Sequence, residues 1–85
     1  MTKLTTLKNI GKEIEKKLNF VGINSAEELK DIGSKEAWVR LKLEYPEVCL
    51  VHLYTLEGAI RHIEYNQLSE ETKKDLKQFT DQWKN

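Results

Sequence analysis

Apolar residues recur along the first part of the chain at helical spacing. Ile14, Leu18 and Val21 lie four and three positions apart, which places them on one side of a helix. Gly22 follows directly, and a glycine there ends a helix because it adopts the left-handed conformation at little cost. The pattern therefore predicts a first helix over about residues 12–21.

Capping residues mark the next two predicted helices. Ser25 and Glu28 stand three residues apart, the spacing of a capping box, and predict the start of a short second helix. Gly33 is expected to end that helix, as Gly22 ends the first. Ser34 is expected to cap a third helix, and Pro46 either closes that helix or opens the next one.

The stretch at residues 46–65 is the most apolar part of the chain. Its apolar residues cover most sides of a helix, which predicts a central helix packed against several others. Gly58 within it costs about 1 kcal/mol relative to alanine, and we interpret it as the site of a close helix crossing. Ser69 is expected to cap a last helix, and no segment alternates as a strand would. We therefore predict one compact all-α domain of five helices over residues 1–85.

A pentapeptide occurs twice, as LKNIG at residues 7–11 and as LKDIG at residues 29–33. Gly11 and Gly33 are expected to reverse the chain with positive φ, and a helix is expected to follow each turn. The first amides of a helix have no partner within it and lie at the positive end of its dipole, so each turn is a candidate phosphate site. The repeat predicts a helix-hairpin-helix (SAM-like) arrangement with two pseudo-symmetric hairpin turns.

Charge distinguishes the two turns. The chain has no net charge, but residues 1–22 contain five lysines and two glutamates, a net charge of +3. Asp31 places a negative charge in the second turn, which we interpret as mainly structural. The first turn is the candidate nucleic-acid site, and its predicted contact residues are Lys8, Asn9, Gly11, Lys12 and Lys16.

Residues with catalytic or metal-binding chemistry are few. Cys49 is the one cysteine and lies in an apolar run, so we expect it to be buried. His52 and His62 are ten positions apart, roughly 80° out of phase on a helix, and do not form a ligand set. We therefore expect no enzymatic activity, no metal and no cofactor. No apolar stretch is long enough to span a membrane and no signal peptide is recognisable, so a cytoplasmic location is expected.

The chain resembles the C-terminal domain of the TfoX/Sxy family of bacterial competence regulators. The resemblance covers residues 4–76 and rests on LKNIGKEIEKKLNFVGINSAEELKDIGSKEAWVRLK, LVHLYTLEGAI and YNQL. It implies an all-α, helix-hairpin-helix-like fold and a link to transcriptional control of DNA uptake, in some members through DNA binding. Lys12 stands where family members often have proline, and the 85 residues do not include the N-terminal domain of the full-length regulators.

Two functions stay open at this point. In the first, the domain binds duplex DNA weakly and without sequence preference, with Lys8, Lys12 and Lys16 at phosphates and the amides after Asn9 around one of them. In the second, it is a protein-interaction or self-association module. The second rests on the zero net charge and on Trp83, which either clamps the last helix or is an exposed partner contact.

Overall fold

Five α-helices account for most of the structure. The computed structural model describes residues 2–83, and no strand occurs within them. The helices are α1 (Lys12–Phe20), α2 (Ala26–Ile32), α3 (Ser34–Glu44), α4 (Leu50–Arg61) and α5 (Glu70–Trp83), with short 3₁₀ helices at Leu4–Thr6 and Tyr65–Gln67. The prediction of an all-α domain with five helices is therefore confirmed. No described helix has the length and apolar character needed to cross a membrane.

The helix ends follow the local signals in the sequence. Gly22 has φ of +88° just after α1. The Ser25 hydroxyl accepts a hydrogen bond from the Glu28 amide at 3.1 Å and caps α2. The Glu28 carboxylate accepts from the amide of Asn24, one residue before the cap (2.7 Å). Ser69 caps α5 by accepting from the Thr72 amide at 3.1 Å.

α4 is the central helix, as its apolar pattern predicts. It packs against α2, α3, α5 and the second 3₁₀ helix. Leu53, Leu56 and Ala59 on α4 are almost fully buried, and they join a core to which all five α-helices contribute. The other buried apolar residues are Leu4, Leu7, Ile10, Leu18, Ile23, Ala26, Leu29, Ala37, Trp38, Leu41, Val48, Leu68 and Leu76.

Trp38 ties three parts of the chain together. Its ring is 1% exposed, and its Nε1 donates a hydrogen bond to the Cys49 carbonyl at 3.0 Å. Phe79 and Trp83 of α5 contact the indole edge-on, with ring centroids 6.1 and 5.4 Å away. Trp83 therefore clamps the last helix onto the body of the domain, with about a third of its surface left exposed.

Residues 2–10 form an N-terminal segment that lies across the helices. Leu4, Leu7 and Ile10 anchor it in the core. At its start, the Thr2 amide and hydroxyl donate to the Glu27 carboxylate at 3.0 and 2.8 Å. These two hydrogen bonds lower the pKa of Glu27 to about 2, because they favour the charged carboxylate. The Thr2 carbonyl in turn accepts from the first amide of α2, at Ala26.

The two copies of the pentapeptide have different backbones. The prediction that both glycines have positive φ holds for Gly33 (+91°) and is wrong for Gly11, which is extended at φ −95° and ψ −177°. In the first copy the reversal falls on Asn9, with φ of 72°. The reason is that residues 29–32 are the last turn of α2, whereas residues 7–10 follow a 3₁₀ helix. The helix-hairpin-helix arrangement stays a prediction.

Candidate nucleic-acid interface

Three lysines surround the first turn. Lys8, Lys12 and Lys16 are all exposed. Lys12 and Lys16 are one helical turn apart on α1, and neither forms an ion pair or hydrogen bond with any of residues 2–83. The Lys8 ammonium lies 4.0 Å from the carboxylate of Glu64. An exposed pair at this distance is weak, so it leaves the Lys8 charge available to a stronger partner.

The N-terminus of α1 has no capping side chain. Gly11 is the N-cap residue, and the first helical hydrogen bond runs from the Glu15 amide to the Gly11 carbonyl at 3.0 Å. The amides of residues 11–14 have no acceptor within residues 2–83. Glu13 and Glu15 in the first turn complement the helix dipole through charge alone. The turn thus combines open amides with lysines, although the two carboxylates oppose an anion.

The Asn9 side chain faces the body of the domain. Its Nδ2 donates to the carbonyls of Ile63 at 3.1 Å and Thr55 at 3.5 Å. Its Oδ1 accepts from the Tyr65 amide at 3.4 Å. The side chain therefore ties the turn to the end of α4 and to the second 3₁₀ helix. Its part in any phosphate contact is to set the path of the turn.

Gly58 makes room for this arrangement. A Cβ added there would lie 2.7 Å from the Asn9 Nδ2 and 2.8 Å from the Ile63 carbonyl oxygen. The sequence interpretation expects a second helix to cross close to Gly58, and this is wrong. The groups that approach Gly58 are the Asn9 side chain of the first turn and the backbone of residues 63–65. A mid-helix glycine signals a close approach, but a single sequence does not identify the approaching group.

The second turn differs from the first in its charge. The prediction that Ser34 caps α3 is wrong, since Gly33 is the N-cap and the Ser34 hydroxyl donates to the Glu57 carboxylate at 2.5 Å. Arg61 pairs with the same carboxylate. A cleft of about 470 Å³ opens beside them. The carboxylate held close to the start of α3 makes this turn less suited to a phosphate.

Cys49 is exposed, so the prediction that it is buried is wrong. It is the N-cap residue of α4, where the chain enters that helix, and its side chain faces outward although Val48 beside it is buried. His52 is partly buried and accepts from the Cys49 amide through Nδ1 at 3.1 Å. The Cys49 thiol lies 3.6 Å from the same nitrogen. Within residues 2–83, no group of three potential ligands among His, Cys, Asp and Glu could hold a metal ion.

This cap makes stability depend on the charge of His52. Burial, followed by the nearby Lys17 charge, lowers the pKa of His52 below 6.5. Because the pKa is lower in the folded state, the contribution of neutral His52 to the free energy of unfolding is complete above the pKa of the unfolded chain. It is lost as the pH falls through the folded pKa and His52 becomes protonated. We expect a lower free energy of unfolding at about pH 5.5 than at about pH 7.5, and a smaller difference in His52→Gln. Urea titrations at both pH values test this. His62→Gln is the control, and an equal loss of pH dependence there would contradict the assignment.

The fold and the first turn together define a small helical domain with three exposed lysines and an uncapped helix N-terminus at that turn. The sequence matches the TfoX C-terminal domain over residues 1–80, and the chain belongs to that family. A crystal structure of an uncharacterized protein from Listeria monocytogenes in a triclinic form is 42% identical, with a TM-score of 0.95 over 99% of this chain and 96% of that one.

A protein of unknown function from the same organism, in a tetragonal form, is 43% identical. Its TM-score is 0.91 over 95% of this chain and 99% of that chain. No curated protein matches the sequence. The close agreement in length and fold shows that this helical module also occurs at the same size in another protein chain.

Proposed function

We propose that the domain binds the phosphate backbone of duplex DNA at the first turn, without sequence preference. The observation that carries the proposal is the uncapped N-terminus of α1, where four open amides lie beside two exposed lysines without ion-pair partners. Backbone amides and lysines at a helix N-terminus are the groups that bind phosphate. No base-reading side chain is needed, which fits a sequence-independent mode.

Each predicted site residue has a distinct part in this proposal. Lys12 and Lys16 contribute charge along one side of α1, and Lys8 exchanges its weak pairing with Glu64 for a phosphate. Gly11 leaves the helix start free of a side chain. Asn9 holds the turn in place. Two or three contacts with a neutral domain give weak, salt-sensitive binding, which suits one component of a larger regulatory assembly.

In line with the resemblance to competence regulators, we place this binding in transcriptional regulation. The domain would provide an additional contact with the DNA backbone, while a partner protein recognises the sequence. This division of labour follows from the physical difference between phosphate contacts, which position a protein, and base contacts, which specify a site.

A protein-interaction function is the second candidate. Phe20 and Leu43 are large apolar side chains that are 67% and 68% exposed. Phe20 contacts the Tyr45 ring edge-on at 6.1 Å, so an aromatic pair is presented at the surface. Trp83, in contrast, packs on Trp38 and offers less surface for a partner. Light scattering of the purified domain tests self-association, and Phe20→Asp should dissociate any dimer formed through this aromatic pair.

Fluorescence anisotropy with a labelled duplex tests the DNA proposal. We expect affinity to fall with salt with a logarithmic slope of roughly −2 to −3, because each phosphate contact contributes about −0.9. Lys12→Glu with Lys16→Glu should weaken binding about tenfold or more at low salt and reduce the slope by about 2.

The matched control is Lys30→Glu with Lys74→Glu, which makes the same change of charge at exposed residues on α2 and α5. This control should bind nearly as the wild type does, apart from a small effect of net charge. Absence of binding at low salt, or equal losses in the two double variants, would overturn the proposal.

A further inference from the structure

Tyr65 differs from the other aromatic residues within residues 2–83. Its side chain is 42% exposed, and neither a ring contact nor a hydrogen bond to its hydroxyl is present among those residues. The remaining aromatic residues each have a partner: Phe20 with Tyr45, Trp38 with Phe79 and Trp83, and the Tyr54 hydroxyl with the Lys73 carbonyl. Tyr65 therefore presents an aromatic surface that the fold itself does not use.

The structure holds this tyrosine against the first turn. The Tyr65 amide donates to the Asn9 Oδ1 at 3.4 Å, and the preceding residue, Glu64, pairs with Lys8 at 4.0 Å. The Tyr65 Cα packs closely over Gly58, where an added Cβ would lie 3.2 Å from it. The backbone of Tyr65 is thus held beside the first turn, one residue from the partner of Lys8, and its side chain is exposed there.

We propose that Tyr65 stacks on an unpaired base, and that the preferred ligand of the first turn is single-stranded DNA. The inference rests on the proposed phosphate binding and changes its preferred ligand: duplex DNA still binds through its phosphates, and a single strand binds more tightly because its bases are free to stack. A base attached to a phosphate at Lys8 lies within reach of a ring one residue beyond Glu64. In duplex DNA the bases are already stacked on each other, so they offer no face to the tyrosine ring. In a single strand any base can stack on the ring, so this contact does not depend on sequence.

Anisotropy with two probes tests the proposal: a labelled oligo-thymidine strand, and a mixed-sequence duplex of the same length. We expect the single strand to bind more tightly at equal salt. Tyr65→Leu should weaken single-strand binding about tenfold, since one stacked base contributes about 5- to 150-fold in affinity. Duplex binding should change less than twofold. Tyr65→Phe retains the ring and should bind the single strand as the wild type does.

The outcomes separate this inference from the proposed function. Equal effects of Tyr65→Leu on both probes, or a preference for the duplex, overturn the inference while leaving phosphate binding in place. Failure of both probes to bind overturns the two proposals together. Circular dichroism on each variant confirms the fold. The Tyr65→Phe comparison remains decisive, because it removes only a hydroxyl that has no hydrogen-bond partner among residues 2–83.

Discussion

Trp38→Ala is expected to lower the free energy of unfolding by about 3–5 kcal/mol. The ring is 1% exposed and is the largest fully buried side chain in the domain. Its removal leaves a cavity between α3 and α5, deprives Phe79 and Trp83 of their edge contacts, and leaves the Cys49 carbonyl without its indole donor. For a domain of this size, such a loss is a large part of the total stability.

Urea denaturation followed by far-ultraviolet circular dichroism measures this effect. Trp38→Phe is the matched control, because it keeps an aromatic ring in the core and removes the hydrogen bond to Cys49. We expect it to destabilise by less than half as much as Trp38→Ala. A loss below about 1 kcal/mol for Trp38→Ala would show that α5 is held by other contacts.

Asn9→Asp is expected to destabilise the domain by about 1–3 kcal/mol. The substitution replaces the Nδ2 donor with a carboxylate oxygen next to the carbonyls of Ile63 and Thr55. Two hydrogen bonds are lost and two oxygen–oxygen repulsions are created in a half-buried place. The positive φ of residue 9 adds nothing to the cost, since aspartate tolerates that conformation nearly as well as asparagine.

The repeat itself provides the control for this measurement. Asp31 occupies the equivalent position in the second pentapeptide, but it is an exposed residue within α2. Asp31→Asn should therefore change the free energy of unfolding by no more than about 0.5 kcal/mol. Similar effects of the two substitutions would contradict the inward position of the Asn9 side chain.

The sequence predicts the helices well because the signals for them are local. Ser25, Gly22 and Ser69 act on amides and carbonyls within a few positions, and they mark the helix ends in the structure as expected. The central position of α4 is also predicted from a local signal. Its apolar residues lie on most sides of the helix, so most of its sides must be covered by other elements. The number and class of elements could therefore be derived from one chain.

The site could be predicted only in part, because its geometry depends on distant contacts. The lysines are exposed as their sequence context suggests, but the direction of Asn9 is decided by Ile63, which is 54 positions away. Cys49 is exposed although its neighbour Val48 is buried, and an apolar run does not reveal which of its members faces the core. The two pentapeptides are likewise nearly identical in sequence but have different backbone conformations, because the residues before them differ in structure.

The N-terminal segment, residues 2–10, gives the domain a place to open without unfolding. Its polar ties run to Ala26 and Glu27 of α2 and to Thr55, Ile63, Glu64 and Tyr65, all distant along the chain. Detaching the segment therefore leaves the hydrogen bonds within α2–α5 intact. Three buried apolar side chains set the cost of this opening at several kcal/mol. The Ala26 amide, which donates to the Thr2 carbonyl, becomes free to exchange with solvent when the segment detaches. Because Lys8 belongs to the segment, a ligand at the first turn and the closure of the chain are thermodynamically linked.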